Sequence, residues 1–237
     1  MPPIIALDFA TTDQATAFVR QFPAGERLFV KVGMELFYAG GPGIIRELQA
    51  IRPLDIFLDL KLHDIPHTVE QAAAQIGRLG VAMTTVHAAG GSRMIAAAKA
   101  GLERGAAEAG VRPPKLLAIT HLTSSSQAML ASELSITVPL PEAVSHLAAV
   151  AQAAGADGVV ASAQEVPLIR AVTRPDFLIV TPGIRPQNAA VGDQVRVVTP
   201  GQAARIGASA IVVGRPITQA EKPLAAYRQI NQEWSQS

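Results

Sequence analysis

Short apolar runs recur along this chain, separated by longer segments of helical period. The runs cover residues 4–9, 28–33, 56–61, 83–87, 116–120, 158–161, 177–181 and 210–214. They are rich in Val, Ile and Leu, and they are continuous rather than alternating. That is the pattern of parallel strands buried on both faces. Intervening segments at 68–79, 94–108, 142–154 and 163–172 are rich in Ala, Gln and Arg and predict amphipathic helices. Pro66 suits a first helical turn, and Gly80, Gly110 and Gly155 suit helix ends. Eight strand-then-helix repeats in 237 residues predict an α/β fold, a (β/α)8 TIM barrel, as one domain over residues 1–237. A doubly wound open sheet is the structural competitor.

Composition narrows the possible chemistry. The chain is 49% hydrophobic, enough for a substantial core. Its formal net charge of +1 gives no electrostatic case for a nucleic-acid or membrane-surface partner. The absence of cysteine excludes disulfides, thiolate catalysis and thiolate metal sites. Few aromatic residues (Phe 7, Tyr 2, Trp 1) weaken any role needing base-stacking platforms. The N-terminal residues lack the basic and apolar regions of a signal peptide, and no uncharged apolar run reaches transmembrane length. A soluble cytoplasmic protein is the expectation.

Polar residues cluster at the expected C-terminal ends of the strands. Asp8 closes strand 1, Lys31 strand 2, Asp59 and Lys61 strand 3, and His87 strand 4. Thr120 and Thr123 follow strand 5, Arg185 strand 7 and Arg215 strand 8. In a barrel these ends meet on one face, where active sites are built. Strand alternation puts Asp59 and Lys61 on the same side. Removing either charge from water is costly unless the other compensates it. A structural ion pair would satisfy the same requirement.

The rim divides by chemistry. Thr181-Pro182-Gly183-Ile184-Arg185 and Val213-Gly214-Arg215-Pro216 occupy the loops after strands 7 and 8, which commonly hold a phosphate in this fold. Glycine admits close backbone approach, and arginine offers a bidentate fork. Turn glycines with solvated arginines would be the plain alternative. Opposite lie Lys31, Asp59, Lys61 and Asp64, alternating in charge, so that each neighbour favours the ionised form of the next. A carboxylate beside Asp59 would be repelled, and a carbanion near Lys61 would be stabilised and protonated. Loss of carbon dioxide followed by protonation fits this layout.

Other motifs carry less. Gly40-Gly41-Pro42-Gly43 lacks the Lys-Ser/Thr ending of a P-loop and predicts a turn before a helix at 44–51. His63 and His67 are separated by Pro66 and lack the zincin Glu, which argues against a metal site there. His87 reads as a polar rim residue, His121 and His146 as ordinary histidines, and the methionines as core filler. Residues 183–198 have no clear period and read as a lid loop.

The segment Asp59-Leu60-Lys61-Leu62-His63-Asp64-Ile65-Pro66-His67-Thr68 closely resembles the active-site motif of the orotidine 5′-phosphate decarboxylase family, bacterial form. Further matches, in order, are Ala6-Leu7-Asp8, Val30-Lys31-Val32-Gly33, Leu122-Thr123-Ser124 and the two loops after strands 7 and 8. The resemblance spans essentially the whole chain. It implies decarboxylation of orotidine 5′-phosphate to uridine 5′-phosphate without metal or organic cofactor. It further implies that Lys61 protonates the pyrimidine C6 and that Asp59 sits beside the leaving carboxylate. Lys31 would complete the charged row and reach the ribose, whose hydroxyls Asp8 binds. Thr123 would meet the pyrimidine edge, and Arg185, Gly214 and Arg215 the phosphate. Pro182 belongs with these substrate-binding residues, and Gln194 would bridge base and phosphate. Asp64, Ile65 and Thr68 are expected to reach the neighbouring subunit's site in a homodimer. His67 stands where the family often has Asn.

Two other functions compete. Magnesium-dependent sugar-phosphate decarboxylases and aldolases of the same superfamily share Asp-x-Lys-x-x-Asp, but they resemble one another in a metal-binding Glu at the end of strand 2. Lys31 stands there instead, and a protonated lysine repels magnesium. A non-catalytic phosphate-binding barrel is the second. It has no need of an Asp facing a substrate carboxylate.

Overall fold

The computed structural model describes residues 1–186 and 198–236. Eight parallel strands close into a barrel in chain order: β1 Ile4–Ala6, β2 Phe29–Gly33, β3 Asp55–Leu62, β4 Met83–His87, β5 Lys115–Ile119, β6 Gly158–Val160, β7 Leu178–Thr181 and β8 Ala210–Val213. Each pairs in parallel with its successor, and β8 closes on β1 through Ile4↔Val212 and Ile5↔Val213. This is the TIM-barrel fold expected from the apolar runs, with each strand within a few residues of its run. The open doubly wound sheet is thereby excluded.

Helices cover the outside: α1 Thr12–Arg20, α2 Met34–Gly40, α3 Gly43–Ile51, α4 Pro66–Gly77, α5 Gly91–Ala109, α6 Gln127–Ser132, α7 Leu140–Ala153, α8 Val166–Val172, α9 Pro200–Arg205, α10 Arg215–Thr218 and α11 Pro223–Ser235. Pro66 opens α4, where its missing N–H costs nothing. The Gly40–Gly43 stretch is the turn between α2 and α3, as its composition predicts. The segment expected as one helix at 163–172 begins instead with a 3-10 turn at Ala163–Glu165, closed by a capping box between Ser162 and Glu165.

Two hydrophobic layers hold the fold together. Ile4, Ala6, Phe29, Phe57, Met83, Leu117, Val180, Ala210 and Val212 fill the barrel interior. The opposite strand faces pack against the helices in a larger cluster that includes Ile5, Val30, Leu58, Val86, Ile95 and Ile211. α4 and α5 approach closely because Gly101 and Gly105 lie against the carbonyl oxygens of Glu70 and Ala74, where a Cβ would clash. This contact fixes α4, and with it the start of the helix that follows the charged motif. Tyr227 of α11 is buried against Phe22, and its hydroxyl donates to Arg27 O at 3.1 Å. Burial, aided by Glu26, pushes its phenol up to about 12. Among the described residues no helix is long and apolar enough to cross a membrane.

Candidate active site

The site begins with the interior layering of β1 to β3. The register sets Ala6, Lys31 and Phe57 at one level, with Asp59 opposite Gly33 one step further towards the strand ends. Lys31 therefore lies inside β2 rather than closing it: the strand runs on to Gly33, where the apolar run also ends. Phe57 is buried beneath the charges and provides an apolar floor. Gly33 leaves space for the Lys31 ammonium, since a Cβ there would sit 3.1 Å from Nζ.

The charges form a continuous row. Lys31 Nζ donates to Asp8 Oδ1 at 3.2 Å and lies 3.8 Å from Asp59 Oδ2. Lys61 Nζ donates to the same Asp59 oxygen at 2.8 Å. The Asp59 and Lys31 side chains are only 12% and 13% exposed, so these charges interact with little water between them. Asp8 is the well-exposed outer end of the row.

Asp59 and Lys61 meet by a route that strand alternation does not give. The β3–β4 register jumps between Leu58↔Thr84 and Leu62↔Val86, which marks a bulge, and Lys61 has φ +55°. Such left-handed backbone is uncommon for a lysine and concentrates at functional sites. The bulge turns the end of the strand and re-aims its side chains.

Two cavities open beside the row. One of about 210 Å3 is lined by Lys31, Phe57, Asp59, Lys61, Ile119, His121, Leu122, Thr123, Val160, Ala161, Pro182 and Val212. Its walls are mostly apolar, with the charges along one side. The second, of about 460 Å3, is bounded by Asp8, Lys31, Pro182, Gly183, Arg185, Gly214, Arg215 and Gln219 among others. Lys31, Pro182 and Val212 line both, so the cavities adjoin. Gly183 has φ +78°, which glycine adopts without strain. Arg185 is buried and Arg215 exposed at the first turn of α10. The 183–198 segment is tied at its ends, where Ile184 bridges Val198 and the Arg185 N–H donates to Val198 O at 3.1 Å. Gln194 lies outside the described residues.

Asp64 accepts from the Ile65 N–H at 2.6 Å, and among the described residues no ion pair joins it to Lys61. Asp64 and Thr68 are exposed, as is Ile65 at 65%.

His63 packs on His87 with ring centroids 5.3 Å apart. Burial lowers the His87 pKa, the charges of His63 and Lys61 push it the same way, and Asp59 opposes them. Burial also lowers that of His121, whose Nε2 has no hydrogen-bond partner among the described residues.

Residues 1–230 match the profile of the orotidine 5′-phosphate decarboxylase / HUMPS family. The chain belongs to this family. It is 56% identical to orotidine 5′-phosphate decarboxylase of Lactiplantibacillus plantarum over 99% of this chain and 98% of that protein. The enzyme of Enterococcus faecalis is 55% identical over the same shares. A crystal structure of orotidine 5′-phosphate decarboxylase from Lactobacillus acidophilus superposes with TM-score 0.87 at 46% identity, covering 98% of each chain. Family membership covers the barrel from β1 into α11, so the row and both cavities fall within the matched region.

Sequence reasoning missed Thr85, whose hydroxyl contacts both Asp59 and Lys61. A threonine within a strand gives no sign of this, since β-branched residues are ordinary there. Phe57 and Gln219 were likewise invisible as site residues.

Proposed function

We infer that this chain decarboxylates orotidine 5′-phosphate to uridine 5′-phosphate and carbon dioxide, a cytoplasmic step in making pyrimidine nucleotides. One observation carries the reading: the row Asp8–Lys31–Asp59–Lys61 runs beside an apolar chamber that adjoins an arginine-lined cavity. The pyrimidine occupies the apolar chamber, with its edge at Thr123. The phosphate occupies the larger cavity, between Arg185, Arg215 and the Gly214 backbone. The ribose spans the two, its hydroxyls at Asp8 and Lys31. Pro182 borders both cavities.

The substrate carboxylate then lies against Asp59. Their repulsion is relieved as the C6–carboxylate bond breaks and neutral carbon dioxide leaves. The electron pair stays on C6 beside the Lys61 ammonium, which stabilises it and donates its proton there. Solvent restores the lysine proton. Binding energy from the remote phosphate holds the carboxylate in this position. No step needs a metal, and Lys31 occupies the place where a magnesium-dependent relative would need an anionic ligand. Loss of orotidine 5′-phosphate absorbance is expected with the purified protein, at a rate unchanged by a chelator. No turnover, or turnover lost with the chelator and restored by magnesium, would overturn the reading.

The site is completed by a second copy of one barrel domain spanning residues 1–237. Exposed Asp64, Ile65 and Thr68 leave their own row and reach the partner's. Lys61→Ala and Asp64→Ala proteins, each inactive alone, should then complement when mixed. Random re-pairing makes half the dimers mixed, each with one intact site, so activity recovers to about a quarter of wild type. Absence of recovery in re-paired dimers would sink the shared site.

A further inference from the structure

Thr85 lies on β4, fully buried, facing the β3 bulge. Its Oγ1 accepts from the Lys61 backbone N–H at 2.9 Å and donates to Asp59 Oδ1, also at 2.9 Å. The direction of both bonds is forced. An amide N–H can only donate and an ionised carboxylate can only accept, so the single hydroxyl proton goes to Asp59. The other carboxylate oxygen, Oδ2, takes the Lys61 ammonium at 2.8 Å. A ring therefore closes: Lys61 backbone, Thr85 hydroxyl, Asp59 carboxylate, Lys61 side chain.

Each link answers a problem that the bulge creates. The register jump takes residues 59–61 out of regular pairing with β4, so the Lys61 N–H needs another acceptor. The left-handed backbone of Lys61 needs an external hold. A carboxylate swings freely about its last torsion, and a donor on one oxygen fixes which oxygen faces the lysines.

We propose that Thr85 is a positioning residue for the decarboxylation, holding the Asp59 carboxylate and the Lys61 backbone in the geometry the reaction requires. It lines neither cavity; it acts through Asp59 and Lys61. The proposal rests on the decarboxylase reading, but its first test does not need it.

The experiment compares wild type with Thr85→Val, Thr85→Ala and Thr85→Ser, with folding checked by circular dichroism. Without substrate, exchange of the Lys61 amide hydrogen should quicken roughly tenfold or more in the Val and Ala variants and stay near wild type in Ser. With orotidine 5′-phosphate, kcat should fall about 100-fold in Val and Ala, as a small misplacement of reacting groups does. KM should stay within about threefold, and Ser should recover most of kcat. Unchanged amide exchange, near-wild-type kcat in a folded variant lacking the hydroxyl, or equal losses in Ser and Ala would each overturn the proposal. If Val does not fold, Ser against Ala decides, because they differ only by the hydroxyl. Wild-type protein without turnover would instead remove the decarboxylase reading, and amide exchange would still report on the ring.

Discussion

Lys61→Ala is expected to abolish turnover of orotidine 5′-phosphate, with a loss of roughly 10⁴-fold or more. General-acid catalysis alone contributes about 10²- to 10⁴-fold. In the proposed mechanism the same ammonium also stabilises charge developing on C6, in a chamber whose walls are mostly apolar. No neighbour can substitute. Lys31 Nζ lies 3.8 Å from Asp59 but is engaged by Asp8 at 3.2 Å on its other side. The variant should still fold. Lys61 is at the surface end of β3, and Asp59 keeps Lys31 and the Thr85 hydroxyl as partners. The check is the ultraviolet assay on protein verified as folded. Substantial decarboxylation by that protein would end the assignment of Lys61 as proton donor.

Arg215→Ala should lower kcat/KM by about 10²- to 10⁴-fold while leaving the fold intact. The magnitude follows from two charge-assisted hydrogen bonds to a phosphate at roughly 1.5–3 kcal/mol each, with each tenfold of rate worth about 1.4 kcal/mol. The side chain is exposed, so removing it should change stability by less than about 0.5 kcal/mol. The larger cavity adjoins the apolar chamber through Lys31, Pro182 and Val212, and in the proposed mechanism it takes the phosphate and not the reacting carbon. The loss would therefore measure binding energy used at a distance. Wild-type-like kinetics in the folded variant would remove Arg215 from the phosphate clamp.

Asp64 lies outside the row formed within a single chain. Asp64 bonds its neighbour's N–H and stays in solvent, which is intelligible if its function is exerted in another subunit's site. That reading came from family resemblance, since no local pattern separates such an aspartate from a turn aspartate.

The barrel itself was legible in the amino-acid order. Continuous Val-, Ile- and Leu-rich runs are the pattern of strands covered on both faces, and their count and spacing predicted an eight-stranded barrel, while the pairing of β8 with β1 excluded the open sheet. The ionic row was also legible in outline, because charges at the ends of buried strands are costly unless brought together. What sequence periodicity got wrong was how Asp59 and Lys61 meet. It assumed an unbroken strand, whereas the bulge and the left-handed Lys61 set the contact. Bulges depend on the register between two strands, which neither strand's sequence contains alone. Thr85 was invisible for the same reason. Its neighbours Asp59 and Lys61 are more than twenty residues away along the chain, and only the β3–β4 pairing brings its hydroxyl between them. Sequence determined which groups this protein would gather; the tertiary structure decided their angles, because hydrogen-bond direction is fixed across strands and not along them.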